Sequence, residues 1–174
     1  MTDCLDGKHL VLVGMMGAGK STVGRVLAER LDRELLDSDE MIEERTGQTV
    51  REIWQAVGEA AYRALESEVL VEALRRDEPS VIAGAGGIVL RPENRELLRG
   101  PSAHVVWLLA DVDLLVERVR HGGHRPLLDD DPRGALTAMW DDRAGLYREV
   151  ADAIVSVDGR SVHDVAQAVL RCVA

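Results

Sequence analysis

Cysteine is nearly absent. Cys4 and Cys172 are the only two, and they stand at opposite ends of the chain. They make neither a disulfide framework nor a metal-ligand spacing, and a reduced, cytoplasmic setting is expected. Long hydrophobic runs are missing too. The longest apolar stretches are strand-sized, so no membrane span is expected. The opening Met1-Thr2-Asp3-Cys4-Leu5-Asp6 has no basic region and no long apolar stretch, so no signal peptide is expected. Positive charge is scarce: 21 Lys and Arg face 31 Asp and Glu, a formal net charge of −10. A chain of that sign repels phosphate backbones and anionic lipid surfaces, which disfavours nucleic-acid and membrane partners. Any anionic ligand must be held by a local cluster of Arg, Lys and backbone N–H groups. With 174 residues, 46% of them hydrophobic, the chain can build one domain with a sizeable core and no covalent staples.

Apolar runs over 10–13, 34–36, 80–83, 104–109 and 154–157 read as strands, the first of them buried on both faces. Helical periodicity predicts helices over 21–31, 41–45, 50–57, 59–76, 92–98, 112–120, 135–150 and 162–173, with Gly58 breaking the third and fourth. This alternation implies an α/β fold: a five-stranded parallel sheet between two layers of helices. The segment 49–76 is too long for one crossover and predicts a small helical subdomain. The Gly- and Pro-containing segment 121–132 predicts a loop able to act as a lid. No linker or repeat interrupts the chain, so 1–174 is read as one domain.

The strongest motif is Gly14-Met15-Met16-Gly17-Ala18-Gly19-Lys20-Ser21, followed by Thr22. It matches the P-loop pattern in full and lies between a predicted strand and a predicted helix. Its backbone N–H groups form a nest for phosphate oxygens, helped by the helix N-terminus. Lys20 would reach the β- and γ-phosphates and Ser21 would hold Mg²⁺. The chain has only two lysines, Lys8 and Lys20; placing one here fits a need for a compact ammonium.

Asp37-Ser38-Asp39 follows the second strand. Two carboxylates on the phosphate rim can divide the work of orienting a metal and accepting a proton. The competing reading is a capping box between Asp37 and Glu40. In Gly58-Glu59-Ala60-Ala61-Tyr62-Arg63-Ala64-Leu65-Glu66, Glu66 sits one helical turn from Arg63 and can hold its guanidinium toward a carboxylate ligand. The plain alternative is an exposed ion pair. Gly84-Ala85-Gly86-Gly87 permits close approach of a ligand to backbone, or is simply a tight turn. His121-Gly122-Gly123-His124-Arg125-Pro126-Leu127-Leu128 suggests a lid delivering positive charge. Arg143, ahead of Tyr147 on the next helix, is a second candidate carboxylate clamp.

Taken together and in this order, these motifs resemble the shikimate kinase family over about residues 10–170. The resemblance implies a three-layer P-loop NTPase-like fold with a helical substrate-binding subdomain at 49–76 and a lid at 121–132. It implies transfer of the γ-phosphoryl of ATP to the 3-hydroxyl of shikimate, with Mg²⁺, on the route to chorismate and aromatic amino acids. It implies that Gly17, Ala18, Gly19, Lys20, Ser21 and Thr22 bind ATP. Ser21 and Asp37 serve the metal, and Asp39 binds shikimate and is the candidate base. Arg63 and Arg143 clamp the shikimate carboxylate; Gly86 and Gly87 contact the substrate through backbone. Lys20, Asp39 and Arg125 form the catalytic set, with Arg125 from the lid. Arg120 and Arg160 lie near adenine. A cytoplasmic monomer acting on small molecules is expected.

Two departures from the family pattern stand out. Ala85 replaces a glycine, which would cost on the order of 1 kcal/mol if that position needs φ > 0. Gly145 replaces a proline and would loosen Arg143. The rival readings are a related small-molecule kinase, such as one acting on gluconate or a polyol acid, and a non-catalytic nucleotide-binding module.

Overall fold

A computed structural model of the chain describes residues 5–121 and 130–174. The elements run β1 (His9–Val13), α1 (Lys20–Leu31), β2 (Leu35–Asp37), α2 (Ser38–Thr46), α3 (Val50–Leu74), β3 (Val81–Ala83), α4 (Pro92–Leu98), β4 (Ala103–Leu109), α5 (Val112–His121), α6 (Pro132–Val150), β5 (Ala153–Ser156) and α7 (Val162–Val173). All strand pairs are parallel, and the sheet order is β2-β3-β1-β4-β5. Parallel strands covered on both faces must be apolar throughout, and β1 is buried at every position. The core gathers Leu10, Leu12, Leu27, Ile82, Val106 and Trp107 around the sheet. A second, smaller cluster of Ile42, Ile53, Tyr62 and Val69 packs α2 against α3.

Most element boundaries fall within one or two residues of the sequence reading. One shift matters. The helix expected at 41–45 begins at Ser38 instead, because Asp37 caps it: its Oδ1 accepts from the Asp39 and Glu40 amides at 3.0 and 3.4 Å. Asp39 therefore sits on the first turn of α2 rather than in a loop. The break at Gly58 occurs as expected, with φ 77° and ψ 179° inside α3.

The helix N-termini differ in kind. Side chains cap α2 (Asp37), α3 (Thr49), α6 (Asp131) and α7 (Ser161). At α1 the cap is Gly19, with φ 94°; among the described residues no side chain caps it, and no acid lies in its first turn. A positive helix end without a side-chain cap or an acid suits an anion.

Candidate active site

The loops after β1, β2 and β3 leave the same rim of the sheet, because all strands run in one direction. Two cavities open there. The larger, about 540 Å³, is lined by Gly17, Ala18, Gly19, Lys20, Ser21 and Thr22, with Asp37, Asp39, Gly86, Arg118 and Arg160 around them. The smaller, about 280 Å³, is lined by Asp39, Trp54, Tyr62, Arg63, Gly86, Gly87 and Arg143, among others. Met16, Asp39, Ala85 and Gly86 line both. The two spaces therefore meet at the Asp39 carboxylate and the Gly86 backbone.

The larger cavity is made mainly of backbone. Gly17 and Gly19 hold φ values of 83° and 94°, a region closed to most L-residues, and this turns the amides inward. Lys20 is 9% exposed. Its Nζ donates to the Gly14 and Met15 carbonyls at 2.8 and 2.9 Å, which folds the ammonium over the loop. Ser21 Oγ donates to Asp37 Oδ2. Asp37 uses its two oxygens separately: Oδ1 caps α2 and Oδ2 faces the P-loop hydroxyl.

The smaller cavity is made of paired charge. Arg63 Nη1 donates to both Glu66 oxygens at 2.9 and 2.7 Å, and its Nη2 reaches Glu59 at 3.4 Å. The Glu66 side chain is 2% exposed, so this is no surface ion pair. Burial pushes the Glu66 carboxyl above its ordinary value, against the pull of Arg63. Burial would lower the Arg63 pKa, but Glu66, together with Glu59 and Tyr62, outweighs it and the net shift is upward. The guanidinium also lies 5.4 Å from the Trp54 ring and 5.6 Å from the Tyr62 ring. Its Nε is buried with no hydrogen-bond partner among the described residues. Gly87 makes room for it: a Cβ there would lie 1.9 Å from Arg63 Nη1.

Arg143 is 6% exposed, on α6. Tyr147, one turn on, donates to the Gly86 carbonyl. Burial pushes the Tyr147 phenol up to about 12, against the Arg143 guanidinium beside it. On the Asp39 side, Tyr62 donates to Oδ1 at 3.1 Å. Burial and then the Asp39 and Glu66 charges raise the Tyr62 phenol far above its ordinary value, so it keeps its proton. The arrangement can hold a polyphosphate in one space and a carboxylate in the other, with a carboxylate base at the junction.

Comparison with known proteins fits this geometry. The family model described as "Shikimate kinase" matches residues 16–174. The chain belongs to the shikimate kinase family. The shikimate kinase of Halorhodospira halophila is 45% identical over 163 residues, covering 93% of this chain and 91% of that protein. The shikimate kinase of Streptomyces coelicolor is 44% identical, covering 94% of each. Among solved structures, a shikimate kinase from Acinetobacter baumannii in complex with shikimate superposes with a TM-score of 0.90 at 41% identity, over 94% of this chain and 91% of that one. A gluconokinase from Sinorhizobium meliloti reaches a TM-score of 0.62 at 20% identity over 96% and 91%, a likeness of fold alone.

Against the shikimate kinase pattern, the structure settles both departures. Ala85 carries no positive φ; among the described residues Asp32 is the only non-glycine that does. The methyl therefore costs no backbone strain. Gly145 is exposed on a continuous α6, so Arg143 is held by its burial rather than by a proline. Arg120 is exposed on the last turn of α5 and does not line either cavity. Arg118 lines the larger one, its Nη1 donating to the Gly17 carbonyl at 2.9 Å. Arg160 lines that cavity too. Arg125 and most of the segment 121–132 lie outside the described residues.

Sequence reasoning missed Arg118, Trp54 and the hydroxyl of Tyr62. Arg118 is singled out only by packing: Leu115 and Val119, on either side of it in α5, lie beside Gly17. No signal marked Trp54, which lies across the Gly58 break from Tyr62.

Proposed function

We propose that this protein transfers the γ-phosphoryl group of ATP to the 3-hydroxyl of shikimate, yielding shikimate 3-phosphate and ADP, in the pathway to chorismate and aromatic amino acids. The observation that carries this reading is the junction at Asp39. A P-loop cavity and an arginine-walled cavity meet at one carboxylate.

Phosphoryl transfer requires alignment and positive charge more than covalent help. ATP phosphates lie on the amides of 17–22, with the Lys20 ammonium at the β- and γ-oxygens. Ser21 and Asp37 offer only hard oxygen donors, side by side at the mouth of the loop, and that donor set suits Mg²⁺. The ion, when bound, would neutralise phosphate charge there. Arg63 and Arg143 hold the shikimate carboxylate. Glu66 balances one of the two guanidinium charges, so the pair keeps a net positive charge for the ligand. Gly86 and Gly87 contact the ring through backbone. Asp39 takes the proton of the acceptor hydroxyl as the new O–P bond forms. Anchoring the far end of the ring turns binding energy into orientation at the reacting oxygen. Helices 49–76 serve as the substrate-binding subdomain and 121–132 as the lid, from which Arg125 meets the phosphates. Arg118 and Arg160 lie on the adenine side of the nucleotide cavity.

A coupled ADP-release assay with a panel of acceptors tests this. Shikimate supports Mg²⁺-dependent turnover, and gluconate and polyol acids do not. Turnover with gluconate, or with no acceptor at all, overturns the assignment. No helix of the described residues is long and apolar enough to cross a membrane. We read the protein as a cytoplasmic monomer without a nucleic-acid partner; light scattering at working concentration checks the monomer.

A further inference from the structure

Asp39 stands on the first turn of α2, on the exposed side of that helix. A base for phosphoryl transfer must present one oxygen in one direction. Charged groups from several elements stand around it. Glu43 comes from α2 itself, Arg51, Arg63 and Glu66 from α3, and Arg143 from α6, all lining the acceptor cavity, while Lys20 and Asp37 line the nucleotide side. Positive and negative groups thus surround Asp39 on both sides.

The Tyr62 hydroxyl makes a directional contact to one of its oxygens. We propose that Tyr62 is a positioning residue which grips Asp39 Oδ1 and so sets the orientation in which the carboxylate meets the acceptor hydroxyl. Tyr62 is 4% exposed and belongs to the small core with Ile42, Ile53 and Val69. Its ring stands edge-on to Trp54 at 5.3 Å. The phenol oxygen is therefore delivered by a rigid, packed ring, and the group it delivers is a donor at 3.1 Å. A phenylalanine would fill the same core equally well but could not hold the carboxylate. During transfer the acceptor proton passes to Asp39, the new O–P bond forms and the bond to the ADP oxygen breaks; Tyr62 keeps its proton throughout. The inference rests on the phosphoryl-transfer reading above.

The test is a double-mutant cycle of Tyr62→Phe and Asp39→Asn, read as kcat and KM for shikimate, with thermal melting as a control. Tyr62→Phe lowers kcat about threefold to tenfold, the worth of one hydrogen bond. Its shikimate KM, ATP KM and melting temperature stay near those of the unmodified protein. In the Asp39→Asn background the same change has no further effect on kcat, because the group it positions has gone. Tyr62→Leu, which removes the ring as well, lowers the melting temperature and raises KM. An unchanged kcat in Tyr62→Phe, or the same loss with and without Asp39, overturns the proposal while leaving the kinase reading intact. A wild-type protein without shikimate-dependent ADP release overturns both.

Discussion

The two cavities solve the same problem, holding an anion in an acidic protein, by different means. The nucleotide side uses main chain: three positive-φ glycines, an uncapped helix end and one lysine folded back on its own loop. The acceptor side uses side chains from distant elements, held by a carboxylate that is itself buried. Backbone amides carry only partial charge and need no counter-ion when empty. Guanidinium groups are fully charged, and burying them requires Glu66 as a standing partner. The first design is local and compact in sequence. The second depends on the whole fold.

That contrast is open to breakage, most severely at Lys20. Lys20→Ala removes the only full positive charge the P-loop itself contributes, and kcat should fall about 10³-fold or more. Calorimetry should show shikimate binding little changed. Turnover within tenfold of wild type would mean the amide nest suffices alone. Arg63→Ala strikes the other half. It should lower kcat/KM for shikimate about 10²-fold while leaving the ATP KM unaltered. It should also destabilise the fold, because Glu66 is left without its main partner, with Arg143 as partial compensation. Adding Glu66→Gln should restore melting temperature but not shikimate affinity. If it restores both, Arg63 serves the fold rather than the substrate.

Gly87→Ala sharpens the comparison further, since it touches Arg63 without removing charge. A methyl there would overlap the guanidinium, which must move. A shift of that kind should cost about tenfold in kcat/KM for shikimate. ATP parameters should hold, because Gly87 lines only the acceptor cavity.

How far each half could be read from sequence follows from the same difference. Residues 14–22 are consecutive, and their pattern names both conformation and ligand. Arg63 and Glu66 are one turn apart on one helix, so their pairing was readable, but its burial was not. Burial depends on α2 and on the turn at 84–87 closing over α3. Gly87 read as a ligand contact; its closeness to Arg63 arises only when β3 and α3 are brought together. Arg118 and Arg120 differ by two positions on a ten-residue helix, which places them on opposite faces. Charge alone could not choose between them; packing of Leu115 and Val119 on Gly17 does. Asp37 was read as either a cap or a metal group because one symbol in a sequence hides two oxygens with separate partners.

The smallest effect is expected at Gly145, where the acceptor side departs from its family pattern. Glycine inside a helix costs about 0.5–1 kcal/mol relative to alanine, through the freedom it has in the unfolded chain. Nothing lies within 4 Å of where its Cβ would be, so Gly145→Ala should regain that amount without a clash. For a chain of this length, melting temperature should rise by about 1–3 °C. The shikimate KM should not change. Arg143 is already fixed by burial two residues upstream, beside Tyr147, whose hydroxyl is tied to the Gly86 carbonyl. A lower KM in Gly145→Ala would show that backbone flexibility at Gly145 does reach Arg143, and that the acceptor side depends on helix stiffness as well as on its buried ion pair.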